Sequence, residues 1–320
     1  MKHAVSIRNG RGRQPPSSED RHFIDSGEIT ILGVLDGHGG LAVVENTHKH
    51  LPGKLRALVT GAKGDEEAIC KGLAKVFADH DEGLKAGGRI MHRDTGTTAT
   101  IAIVTPKSCI MAFVGDSPAC IFDPEGKVLH AIRSHIPSEK DEMARIEAGG
   151  GHVTKGRGGD VARVMGELAV SRAFGDFSLK PHVSSEPEIQ VFPRPERGHI
   201  ALMSDGLIEL PPMIHGNDDD DLAMFKPMSE IAKNIAVALK ESGGEVAPAA
   251  ELVIQRHVVE HAGTEEDYGS DDLTLLICDI GLAKKSLRTA TTRKRLSGGA
   301  AAAKRHRSHT SKKVGKMYYI

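Results

Sequence analysis

Three short segments carry residues whose types and spacing suit chemistry: Asp36-Gly37-His38-Gly39-Gly40, Met203-Ser204-Asp205-Gly206 and Asp271-Asp272. Each sets an aspartate at the edge of an apolar run: EITILGVL before Asp36, IALM before Asp205 and LTLLI after Asp272. Runs of this kind read as short buried strands. Carboxylates at the ends of three such strands can converge in space, and hard oxygen donors select Mg2+ or Mn2+ over Zn2+. In the first segment the glycines allow close backbone approach, and His38 adds an imidazole that can pass a proton beside a metal ligand. Taken singly, each aspartate is more often a turn former or helix cap, and Asp36 to Gly40 is a Gly-rich turn with an incidental His. The recurrence at three strand ends is what favours a shared cation site.

The elements that must hold these residues follow from periodicity. A strand over 28–35 ends at Asp36, and amphipathic helices cover 41–60, kinked or begun afresh at Pro52, and 65–86. Strands over 97–104, 108–114, 119–122 and 127–132 are joined too closely for parallel crossovers, so they form antiparallel hairpins. A helix over 139–148 stops at Gly149-Gly150-Gly151 and is followed by a Gly-rich loop to about residue 161. A strand over 200–203, helices near 228–239 and 246–261, and a strand over 272–279 complete the pattern, while 1–27 is polar. Strands in groups with helices between the groups predict an α+β layered domain with antiparallel sheets.

In order along the chain stand Glu19-Asp20, Asp36-Gly37-His38-Gly39-Gly40, Gly96-Thr97-Thr98-Ala99, Gly115-Asp116-Ser117-Pro118-Ala119 and His135-Ile136-Pro137. They are followed by Glu147-Ala148-Gly149-Gly150, Leu168 to Asp176 (LAVSRAFGD), Ser204-Asp205-Gly206-Leu207 and Asp271-Asp272-Leu273-Thr274. This ordered set resembles the metal-dependent serine/threonine protein phosphatases, the PPM or type 2C family. The resemblance implies a four-layer αββα sandwich, two antiparallel sheets flanked by helices, with a cleft for Mg2+ or Mn2+ at one end. It implies that Asp36 bridges two ions, that the Gly37 carbonyl helps to bind one, and that Asp205 and Asp271 hold the other. Glu19 and Asp20 then act mainly through waters, and His38 protonates the leaving alkoxide of a phosphoserine or phosphothreonine. A metal-activated water attacks phosphorus directly, with no covalent phosphoenzyme.

Four positions depart from the family pattern. The phosphate-gripping Arg expected four residues before Glu19 is Pro15, so Arg13 is the candidate phosphate ligand, with Arg8 and Arg11 as substitutes. Ser134 and Glu209 stand where the family carries aspartates associated with a third, weaker metal site, which should be weakened or lost. Pro118 replaces an Arg common after Gly-Asp-Ser. These departures motivate a second reading, a phosphatase-like regulatory or binding protein with weak or no turnover.

Composition narrows the remaining classes. The 320 residues are 39% hydrophobic and 27% charged with no Trp, which fits an ordinary folded domain and disfavours an aromatic platform for single-stranded nucleic acid. The net charge of −1 divides into +12 on the last forty residues, which hold no Asp or Glu, and −13 on the rest. An acidic body suits a carboxylate cleft that concentrates cations. We therefore expect a phosphatase domain over 1–282 and a basic, disordered tail over 283–320, whose Arg293-Lys294-Arg295 and Lys304-Arg305-His306-Arg307 suit an import receptor or a polyanion such as nucleic acid. Cys70, Cys109, Cys120 and Cys278 form no C-x-x-C pair, and neither a secretory leader nor a membrane-spanning run is apparent. The expectation is a monomer without membrane contact, cytoplasmic or nuclear, acting on phosphoproteins. Asp218 to Asp221 reads as a solvated loop, and His135 as the one other histidine near the site.

Overall fold

The apolar run before Asp36 forms β3 (Thr30–His38), whose residues 30–35 are all buried. A strand covered on both faces requires such a continuous run. Ile31 and Leu35 face one hydrophobic cluster while Leu32 and Val34 face another, as the two-residue period dictates. The computed structural model describes residues 1–8, 18–86, 94–154, 161–208, 220–260 and 271–282, with the side chains of 220–225 and 260 left aside.

Around β3, one seven-stranded sheet runs in the order β11 (Phe174–Gly175), β4 (Gly96–Thr97), β3, β5 (Ala99–Val104), β6 (Ser108–Val114), β12 (Glu188–Pro193), with β2 (Asp20–Asp25) also paired to β3. The second sheet has five strands in the order β1 (His3–Arg8), β14 (Leu273–Asp279), β13 (His199–Met203), β7 (Ala119–Phe122), β8 (Val128–Ala131). All these pairings are antiparallel.

Between the sheets, Val104, Met111 and Phe113 from one pack with Ile121, Leu202 and Leu276 from the other. Helices α1 (Leu41–Ala62) and α2 (Glu66–Ala86) cover the outer face of the larger sheet through Leu51, Leu55, Leu73 and Phe77. Helices α4 (Asp220–Glu241) and α5 (Val246–Glu260) cover the smaller sheet through Ile235, Leu239 and Val253. The result is the expected four-layer αββα sandwich. A lesser cluster joins Ile146 of α3 (Lys140–Ala148) to Val164, Val170, Leu179 and Val183. The hairpin of β9 (Val153–Thr154) and β10 (Arg163–Val164) lies in that region.

Several boundaries differ from the periodicity. β3 does not stop at Asp36 but continues through Gly37 and His38, which pair with Thr97 and Gly96. α1 runs unbroken through Pro52. Burial of the flanking Leu51 and Leu55 offsets the hydrogen bond that Pro removes, roughly 3 kcal/mol. The polar stretch 1–27 contains β1 and β2, and β12 was not legible at all; each is half-exposed and carries charged residues among its apolar ones. Asp220 and Asp221, read as loop, open α4, and Asp218 lies outside the described residues. No described helix is long and apolar enough to cross a membrane.

Candidate active site

The carboxylates meet at one end of the sandwich because the strand ends coincide there. Asp20, the first residue of β2, is the register partner of Asp36 on β3. In the other sheet β13 ends at Met203, opposite Leu275 of β14, so the turn at Asp205 and the residues Asp271-Asp272 before β14 adjoin. Gly206 has no room for a side chain: a Cβ there would lie 2.4 Å from the Asp272 carbonyl oxygen. Hydrogen bonds tie the sheets together at this end. The Thr274 hydroxyl donates to Asp20 Oδ2 at 2.6 Å, and the Glu19 amide donates to Asp272 Oδ2 at 2.8 Å.

The backbone around Asp36 is held from both sides. Its amide donates to Thr98 Oγ1 at 3.1 Å, and its carbonyl accepts from Thr97 Oγ1 at 3.0 Å and from the Thr98 amide at 2.8 Å. Glu19 reaches the start of α1, where its Oε1 accepts from the Gly40 amide at 2.7 Å, a favourable place for an anion at a helix N-terminus. Gly37 is packed so closely that a Cβ would fall 2.8 Å from the Glu19 carbonyl oxygen and 2.9 Å from Val44.

The electrostatics are those of several carboxylates brought close together. Desolvation, followed by the charges of Asp20, Asp205, Asp271 and Asp116, holds the Asp36 carboxyl well above the ordinary range. Burial pushes Asp20 up to about 7, although hydrogen bonds from Thr274 and Ser204 favour its charged form. Asp20 Oδ1 is enclosed and has no hydrogen-bond partner. Among the described residues no group of three His, Cys, Asp or Glu side chains is closed around a metal position as it stands. The donor set nevertheless fits a hard divalent cation: all-oxygen ligands, an orphaned buried carboxylate oxygen, and mutual repulsion that positive charge would relieve.

His38, next along β3, turns its Nε2 to the Asp176 carboxylate, 2.9 and 3.0 Å from the two oxygens. Asp176 directly follows β11 and is 2% exposed. Gly96 makes this pairing sterically possible, since a Cβ there would lie 2.0 Å from Asp176 Oδ2 and 2.4 Å from His38 Nε2.

The model of the family described as Protein phosphatase 2C matches residues 12–212, more than half of the chain. The chain belongs to the protein phosphatase 2C family. Among its phosphatase 2C relatives, "Probable protein phosphatase 2C 17" of Arabidopsis thaliana is 34% identical over 243 residues, covering 72% of this chain and 82% of that protein. "Probable protein phosphatase 2C 55" of Oryza sativa subsp. japonica is 40% identical over 185 residues, 56% of this chain and 47% of that protein. The chain thus spans about half the length of several curated relatives that it matches. A serine-threonine phosphatase 2C from Toxoplasma gondii has a similar fold, with TM-score 0.67, 17% identity, and coverage of 87% of this chain and 94% of that one. A Caenorhabditis elegans sex determining protein gives TM-score 0.66 at 22% identity, over 88% and 65% of the two chains.

Within this phosphatase 2C fold the structure brings together Glu19, Asp20, Asp36, Gly37, His38, Asp205 and Asp271, the residues singled out from sequence. Arg13, Arg11 and Glu209 lie outside the described residues. Arg8, a substitute candidate for the phosphate, ends β1 opposite Leu273, two residues from Asp271 and at the same end of the sandwich. The Ser134 hydroxyl donates to the Asp116 carbonyl at 3.4 Å. His135 is a fully buried core residue that stacks on Phe113 and bonds Glu188; burial lowers its pKa. Sequence reasoning assigned no role to Asp116, whose charge acts on Asp36, or to Asp176. Both stand in motifs quoted for the family, and that was the one signal available.

Proposed function

We propose that this chain hydrolyses phosphoserine and phosphothreonine in proteins with the help of Mg2+ or Mn2+. The observation that carries the reading is the convergence of Asp20, Asp36, Asp205 and Asp271 on one end of the sandwich, where their charges act on one another, beside an imidazole. Asp36, the Gly37 carbonyl, Asp205 and Asp271 would hold two ions, with Glu19 and Asp20 behind them. Bound there, the cations supply positive charge to a phosphate that carries nearly two negative charges and acidify the attacking water.

The chain's own residues do the rest. The acidic strand ends raise the local concentration of cations and fix where they sit. An arginine, Arg13 between β1 and β2 or Arg8 at the end of β1, grips the phosphoryl oxygens in bidentate fashion. His38 gives a proton to the leaving serine or threonine oxygen, which would otherwise depart as an unstable alkoxide. Ser134, with a hydroxyl directed at a backbone carbonyl in place of a carboxylate, supports a weakened third cation site.

The test is turnover of a phosphothreonine peptide across a Mn2+ titration. Activity should appear with the cation, vanish in EDTA, and fall at least about 100-fold in Asp36→Asn, on the scale of losing one electrostatic element of a site. Equal turnover in EDTA would refute the metal-assisted reading.

A further inference from the structure

The imidazole of His38 has two nitrogens, and the structure treats them differently. Nε2 faces both oxygens of Asp176 at 2.9 and 3.0 Å, while no protein hydrogen bond reaches Nδ1 among the described residues and Nδ1 is not enclosed. The His38 side chain retains 26% exposure, against 2% for Asp176, so one end of the ring is anchored inside and the other meets solvent.

Asp176 is itself held in place by costly means. It adopts φ 48°, a left-handed conformation that L side chains rarely take, next to Gly175 at φ 81°. Its amide donates to the Thr95 carbonyl at 2.9 Å, and the Gly175 amide donates to Asp81 Oδ1 of α2 at 2.8 Å. Asp81 pairs with Lys180 at 3.1 Å, and Lys180 in turn donates to the Ala173 carbonyl at 3.0 Å. Strain kept by so many fixed contacts beside a site is a reason to look for function.

From this geometry we propose that Asp176 is the positioning residue for His38: it accepts the Nε2 proton, fixes the ring, and leaves Nδ1 as the atom that delivers a proton to the leaving oxygen. The inference rests on the phosphatase reading and specifies which nitrogen acts. In the step, the oxygen of water bonds to phosphorus and the bond from phosphorus to the serine or threonine oxygen breaks. The departing oxygen keeps the electron pair and takes the proton from Nδ1. The water's proton passes to solvent, from which Nδ1 is reprotonated.

The test uses the full chain with Mn2+ and two substrates, a phosphothreonine peptide, whose leaving oxygen needs a proton, and p-nitrophenyl phosphate, whose leaving group does not. Asp176→Gly removes the carboxylate while tolerating φ 48°; Asp176→Asn keeps an acceptor in a residue that also tolerates it. Asp176→Gly should lower kcat on the peptide about 10- to 100-fold, a share of the range for a general acid, and change kcat on p-nitrophenyl phosphate less than about 3-fold. Asp176→Asn should recover most of the loss, and in a His38→Gln background Asp176→Gly should cost less than about 2-fold. Equal losses on both substrates, or a full additional loss in the His38→Gln background, would overturn the proposal. If the wild type turns over neither substrate, the phosphatase reading fails, and nitrogen-15 histidine spectra decide the positioning separately. The wild type should then show His38 protonated at Nε2, with mixed tautomers in Asp176→Gly; an unchanged spectrum overturns the positioning role.

Discussion

Neutralising Asp20 should stabilise the cation-free protein, and the gain should grow with pH. In the folded state burial holds this carboxyl at about 7 instead of its ordinary 3.8. Below pH 3.8 both folded and unfolded chains carry the proton and no penalty exists. Between 3.8 and about 7 the unfolded chain ionises first, so the folded state binds more protons and loses stability as pH rises. Above about 7 the loss is complete and amounts to about 4 kcal/mol. For a domain of this size that is a ceiling of about 8–16 °C in Tm.

Wild type and Asp20→Asn would be compared in EDTA by thermal unfolding from pH 5 to 8. The paired comparison matters because His80 works the other way. Burial, then Lys54, lowers its pKa to about 3, so its contribution to stability increases as pH rises toward 6.5. Subtracting the two curves cancels that effect. The Asp20→Asn advantage should be about 1.6 kcal/mol at pH 5 and approach its ceiling at pH 8, and Mn2+ should raise the Tm of wild type more than that of the variant. An advantage that stays constant from pH 5 to 8 would refute the electrostatic account of this site.

Two further outcomes follow from the packing. Glu142 of α3 is 1% exposed and accepts from Arg172 Nε at 2.9 Å and from an Arg145 amino group at 2.8 Å. Burial alone would raise its pKa, but the Arg172 guanidinium, then Arg145, brings it down to about 2. Glu142→Ala should cost about 3–5 kcal/mol in urea unfolding, since two guanidinium groups lose their shared partner; a loss under about 1 kcal/mol would contradict this. The wild-type contribution is present above pH 4.5 and fades as pH falls toward 2. From residue 283 on, the sequence is rich in Lys, Arg, Ala, Ser and Thr and shows no apolar periodicity. Deleting 283–320 should therefore move Tm less than about 2 °C and leave peptide turnover unchanged. The same deletion should redistribute the protein in cells if the basic segment is an address; a large fall in Tm would place the domain boundary later.

What could be read from the one-dimensional chain was whatever short-range physics imposes. Apolar runs such as 31–35 and 273–278 announce strands buried on both faces, and the aspartates and glycines at their ends announce a site, because side-chain period and turn chemistry are local. The half-exposed strands β1, β2 and β12 escaped notice because their residues need no apolar pattern to join a sheet. Their membership comes from ladder partners far along the chain, as with His3 opposite Cys278. The continuation of β3 through His38 was hidden for a similar reason: glycine and histidine weaken a strand signal, and the pairing with Gly96 and Thr97 restores it. Only the folded arrangement could decide that Asp20 sits across from Asp36, that Thr274 of one sheet bonds Asp20 of the other, and that Asp176 meets His38 from 138 residues away. Those contacts depend on which strands neighbour one another and which residues are in register, and burial together with excluded water turns them into shifted pKa values and a fixed imidazole.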